Sequence, residues 1–144
     1  MGVVKAICTS AVKGVQKTEV EQAVLMADFG IAGDAHAGNW HRQVSLLAQE
    51  PIDAFKARGA EVNNGSFGEN LIVEGLGDLK SYPSGTRFIC GDAVLELTQI
   101  GKKCQSHCAI YHTMGECIMP HEGVFTKVIK GGTITPGTTI NVLE

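Results

Sequence analysis

Eighteen glycines against four prolines cut this chain into short apolar stretches, few of them long enough for a helix. Glycine at such density marks turns, bulges and close backbone approaches, so the chain must fold from many short pieces. Residues 3–10, 20–26, 44–48, 70–74, 86–90, 93–100, 124–130 and 138–143 read as strands, rich in apolar and β-branched types. In 93–100, Leu95 and Leu97 fall on one face and Glu96 and Thr98 on the other, a half-buried pattern; Ile140 and Val142 alternate with Thr139 and Asn141 in the same way. A helix is expected after Pro51, placed where a first helical position tolerates proline, with Ile52 and Phe55 three apart and Gly59 as its C-terminal stop. A second short helix is expected over 107–114. Many short strands, frequent turns and little helix argue for a mainly β fold, a barrel or a folded-over sheet.

At 144 residues the whole chain, 1–144, is expected to form one domain. No apolar run approaches the ~18 residues of a membrane span, and the N-terminus lacks the apolar core of a signal peptide. A net charge of −3 with interspersed lysines gives no basic stripe for nucleic acid. Five cysteines, an odd number unevenly spread, fit a reducing compartment, so the cytoplasm is expected.

Three constellations carry chemistry. In GIAGDAHAGNWHRQVSLL (30–47), glycines surround Asp34 and His36, and Arg42 leads into an apolar run. Such a loop brings backbone N–H groups to an anion while His and Arg add directed donors; the alternative is a polar loop in which Asp34 holds a turn. In GSFGENLIVEG (65–75), Glu69 and Asn70 stand at the mouth of a strand, where they can point into a cleft or cap a core strand. The third, Leu97–Glu122, gathers three of the five cysteines and three of the five histidines in 26 residues. Lys102 and Lys103 precede Cys104, and nearby positive charge favours the reactive thiolate. Cys104, Cys108, Cys117 and His121 could alternatively close a tetrahedral zinc site, although the paired C-x2-C spacing of a strong zinc motif is missing. Cys8 and Cys90 lie in strand segments and are expected in the core.

In this order, GIAGDAHAG with HRQVSLL, GSFGENLIVEGL, LTQIGKKCQSHC, MPHEGVFTKVIKGG and TPGTTI resemble the MOSC domain, named for the C-terminal region of molybdenum cofactor sulfurases, and in particular its small stand-alone bacterial members. The resemblance implies a closed, complex-topology β-barrel of the pyruvate-kinase-barrel type with one or two short helices. It further implies binding of a molybdopterin-type cofactor, or carriage of sulfur destined for one. The family's characteristic cysteine falls on Cys104, which would ligate molybdenum or hold sulfur. Asn70, with Glu69, falls on the strand entry near the pterin, and His36 and Arg42 would close the same cleft. Lys102 and Lys103 keep the cationic character beside the cysteine and are expected to bind the cofactor, whose phosphate would meet glycine-rich backbone and Arg42 or Lys102. The chain carries no PLP lysine motif, so sulfur is expected from a partner, a cysteine desulfurase or another protein of molybdenum cofactor biosynthesis. Sulfur transfer and molybdenum-dependent activity both stay open at this point. Two rival readings are a molybdoenzyme reducing N-hydroxylated compounds with a separate reductase, and a zinc-stabilised β-domain that docks a biosynthetic partner.

Overall fold

The computed structural model describes residues 2–12, 16–59, 62–100 and 123–143. Its elements run β1 (Gly2–Thr9), β2 (Thr18–Val20), β3 (Ala23–Met26), β4 (Gly30–Ile31), β5 (Val44–Ala48), α1 (Gln49–Ala57), β6 (Leu71–Glu74), β7 (Arg87–Cys90), β8 (Ala93–Ile100), β9 (Val124–Lys130), β10 (Gly132–Ile134) and β11 (Thr139–Leu143). Every expected strand within these residues is present. The 20–26 segment divides at Glu21-Gln22 into β2 and β3, which join different sheets. β4 and β10, two and three residues long, are too short to leave a periodic signal.

Seven strands close a barrel in the order β1-β6-β5-β9-β8-β7-β11, with β11 returning to β1. Closure removes the unpaired edge that an open sheet would expose. β2 shares with β11 the remaining edge of β1, pairing with Ile7–Thr9 while β11 pairs with Gly2 and Val3. β10, β3 and β4 make a separate small sheet.

The pairs around the ring are antiparallel except β5–β6, which run parallel. Parallel neighbours need a crossover, and α1 lies in the connection between them. This explains why all five residues of β5 are buried. Val44, Leu46 and Ala48 face the barrel interior, while Leu47 faces outward under Ile52 and Phe55 of α1. Burying those two helix side chains stabilises the pairing by roughly 1.5–3 kcal/mol each. Phe67 meets Phe55 edge-to-face, with ring centroids 5.7 Å apart.

The helix starts at Gln49, so Pro51 occupies its third position instead of its first. The substitution of place costs little, because the first four helical N–H groups have no intrahelical partner. Gly59 does follow the last turn, at φ +102, and donates to the Lys56 carbonyl. The 107–114 segment lies outside the described residues. Among the described residues, no helix is long and apolar enough to cross a membrane.

A β-bulge between Val4 and Ala6 resets the alternation of β1. Val4 and Ile7, three apart, therefore both point into the barrel, and Ala6 points outward toward α1. Cys8 and Cys90 are fully buried free thiols, as expected.

Candidate functional site

Where β1 ends and the parallel strands β5 and β6 begin, the buried outer layer turns from apolar to polar. Asn70, just before β6, is fully buried. Its Oδ1 accepts from the Ser45 N–H at 3.0 Å and from the Ser45 hydroxyl at 3.2 Å; its Nδ2 donates to the Cys8 carbonyl at 3.0 Å. The Asn70 N–H donates in turn to Ser45 Oγ, and the Asn70 carbonyl accepts from the Cys8 N–H. One amide thus ties three strands together where their ladders stop. Glu69, also fully buried, turns back into its own loop and accepts from the N–H groups of Gly65 and Phe67 at 3.0 and 3.1 Å. Burial pushes its carboxyl above the usual carboxylate range, although those N–H donors and the charge of Lys17 act in the opposite sense. Glu69 and Asn70 therefore form the floor of this end of the barrel.

Lys17 connects that floor to the first glycine-rich loop. Its backbone N–H donates to the Gly65 carbonyl, and Gly65 sits at φ +92 with space for no side chain, since a Cβ there would lie 2.0 Å from the Lys17 carbonyl oxygen. Its ammonium is wholly enclosed and reaches Asp34 Oδ1 at 2.8 Å, Ser10 Oγ at 3.1 Å and His36 Nδ1 at 3.0 Å. Asp34 also accepts from the N–H groups of Ser10 and His36, the latter closing the short turn that one reading of the loop anticipated. Burial alone would raise the Asp34 carboxyl, but the hydrogen bond and charge of Lys17, with the two N–H donors, hold it below the usual range.

The loop continues across His36, whose side chain is 25% exposed, to Trp40 and Arg42. Trp40 donates from Nε1 to the His36 carbonyl, and its ring lies parallel to the imidazole at 6.4 Å. The Arg42 guanidinium stands 4.7 Å from the Trp40 ring centre and 5.5 Å from that of Phe125. Its Nε is buried and has no hydrogen-bond partner among the described residues. The neighbouring His41 contacts Gln99 through Nε2 at 2.8 Å, and its carbonyl accepts from the Thr98 hydroxyl. Residues 41 and 42 thus rest on β8 and β9 beside Ile100 and Val124, a register pair from which the chain leaves for and returns from 101–122.

Of the residues singled out by sequence, His36 and Arg42 belong to one loop, and Glu69 and Asn70 to the floor, joined to that loop through Lys17. Lys102, Lys103, Cys104, Cys108, Cys117 and His121 lie outside the described residues. Among the described residues, no group of three or more His, Cys, Asp or Glu side chains is placed to hold a metal ion. Sequence reasoning missed Lys17, Ser10 and Ser45. No local pattern marks Lys17, because its role depends on the burial of Asp34, which only the folded chain brings about.

Set beside known proteins, the chain matches the family model described as the MOSC domain over residues 33–141. A search of curated proteins finds no match. Among solved structures, the YuaD protein of Bacillus subtilis superposes with a TM-score of 0.76 at 19% identity, covering 99% of this chain and 96% of its own. YiiM of Geobacillus stearothermophilus gives 0.74 at 18% identity, covering 100% of this chain and 76% of its own. YiiM of Escherichia coli gives 0.67 at 17%, covering 99% and 70%. At these identities the likeness to the solved structures concerns the fold.

Proposed function

The chain belongs to the MOSC domain family, and we propose that it handles a molybdopterin-type cofactor at this end of the barrel, with Cys104 as its sulfur-bearing or metal-ligating residue. We take residues 1–144 as one such domain, working in a reducing, cytoplasmic setting. The observation that carries the reading is the buried Nε of Arg42, unpartnered among the described residues and close to the rings of Trp40 and Phe125, next to the strands that flank 101–122. A buried guanidinium donor without an acceptor is costly unless an anion meets it, and the phosphate of a pterin cofactor is such an anion. The residues present therefore fit the group: Arg42 would hold its phosphate, His36 would donate beside it, and Glu69 and Asn70 would keep the floor rigid. Lys102 and Lys103 would favour the thiolate of Cys104. When bound, the cofactor supplies the redox chemistry of molybdenum.

For sulfur carriage the chain's own step is simple exchange. The Cys104 thiolate attacks the outer sulfur of a donor persulfide, the donor's inner sulfur leaves as a thiolate, and the transferred sulfur stays on Cys104. The donor fits a cysteine desulfurase or another partner from cofactor biosynthesis, since the chain has no PLP lysine motif.

Elemental analysis of purified protein, with pterin fluorescence after oxidation, tests the proposal. Molybdenum with pterin is expected, and Cys104→Ser should lose metal, sulfur transfer or both without a change in stability. Alkylation resolved by residue gives a second readout. Cys104 should react faster than a free thiol of pKa ~8.5. Cys8 and Cys90, whose thiols burial pushes up to about 12, should stay unmodified until the protein unfolds. Stoichiometric zinc whose removal unfolds the chain would overturn the reading in favour of a structural metal.

A further inference from the structure

We infer that Lys17 is a positioning residue that locks His36 in its Nε2–H tautomer, so that the imidazole serves the site as a hydrogen-bond donor and not as a base. An ammonium has three N–H donors and no acceptor, and Lys17 meets three acceptors: Asp34 Oδ1, Ser10 Oγ and His36 Nδ1. Asp34 is held as a carboxylate by Lys17 and two backbone N–H groups, which keeps the lysine charged. A charged ammonium at 3.0 Å from Nδ1 can only donate, so Nδ1 must carry the lone pair and the proton of the neutral ring must sit on Nε2. The alternative Nδ1–H tautomer would aim one N–H at another, and an imidazolium would do the same with like charges.

The ring is also fixed in orientation. The His36 N–H is bound to Asp34 Oδ2, its carbonyl accepts from Trp40 Nε1, and the Trp40 indole lies parallel to it. Asp34 Oδ2 is 3.8 Å from Nδ1, too far to compete with Lys17 for that nitrogen. The charged groups around the ring among the described residues are Lys17 and Asp34, with Arg42 resting on the same indole. Nε2 is then a donor N–H, and with the Arg42 guanidinium in the same loop it favours an electron-rich acceptor such as an oxyanion or a carbonyl. This last step rests on the cofactor site proposed above; the tautomer does not.

Nitrogen-15 NMR of the cofactor-free protein, labelled at histidine, tests the tautomer directly. At neutral pH the His36 Nδ1 signal should be that of an unprotonated nitrogen and Nε2 that of a protonated one. An Nδ1–H tautomer or an imidazolium at neutral pH overturns the inference. In Lys17→Met/Asp34→Leu, which removes both buried charges together, the ring should relax to a mixture of tautomers; an unchanged Nε2–H form there would show that Lys17 does not set it. The donor role is read from two substitutions. His36→Gln, which can place an N–H near the Nε2 position, should retain most of the molybdenum and pterin of the wild type, whereas His36→Asn should lose at least ~10-fold, a difference worth about 1.4 kcal/mol. Equal retention by both overturns the donor role. Wild-type protein without molybdenum or pterin would overturn the cofactor reading alone, since the tautomer is measured in its absence.

Discussion

The inside of the barrel and the polar layer at its end are both largely closed to water, yet they are held in opposite ways. The interior is filled by Val4, Ile7, Leu46, Leu71, Phe88, Leu95, Leu97 and their neighbours, whose attraction grows with area and has little direction. At the end, Ser10, Lys17, Asp34, Ser45, Glu69 and Asn70 are joined through hydrogen bonds whose partners are specific atoms. An aliphatic core tolerates volume-conserving exchange. A buried polar network does not, because each lost partner leaves another group unsatisfied at low dielectric. Rigidity is therefore concentrated at the end that holds His36, Arg42 and the strands flanking Cys104.

Removing one buried charge should separate the two regions most strongly. Lys17→Met is expected to destabilise the protein by about 3–5 kcal/mol, because the Asp34 carboxylate would stay buried without its cation. Guanidinium unfolding should show it, and Lys17→Met/Asp34→Leu should recover a large part of the loss. If the single variant unfolds no earlier than wild type, the network is not the stiff region. In the interior, Leu95→Ala should cost about 2–5 kcal/mol through the cavity it leaves, but Leu95→Met less than about 1.5 kcal/mol. The polar end offers no such mild exchange at Asn70. Asn70→Leu, close in size, should cost about 2–3 kcal/mol, as the Ser45 N–H and the Cys8 carbonyl lose their partner. A cost for Asn70→Leu as small as that for Leu95→Met would erase the contrast.

The smallest effect is a difference of sign between the two buried carboxylates. Asp34 titrates below its unfolded value, so its contribution is complete above about pH 4 and is lost as the pH falls through the depressed folded value. Glu69 titrates above its unfolded value, so its contribution is complete below about pH 4 and is lost as the pH rises through the raised folded value. Denaturant midpoints followed from acid to neutral pH should therefore lose one slope in Asp34→Asn and the opposite slope in Glu69→Gln. Slopes of the same sign in both would contradict the opposed environments.

Local patterns along the chain specify its pieces. The alternation of Leu95 and Leu97 with Glu96 and Thr98 is local, and it identified β8 without any partner strand; Ile52, Phe55 and Gly59 did the same for α1. The sequence also carried the family, through the order of its glycine-rich segments and the cysteine cluster. How the pieces close follows from contacts that only folding brings about. The bulge that lets Val4 and Ile7 share one face, the parallel pairing of β5 with β6 and the return of β11 to β1 depend on contacts between residues far apart, which no periodicity encodes. The same holds for the site. Asn70 and Glu69 were legible as polar residues at a strand mouth, but that they would be floor came from Cys8 and Ser45, 62 and 25 residues away. Lys17 gave no local signal, because its role arises only when folding encloses Asp34 and His36 beside it, and the cost of burying a charge then demands that the three meet.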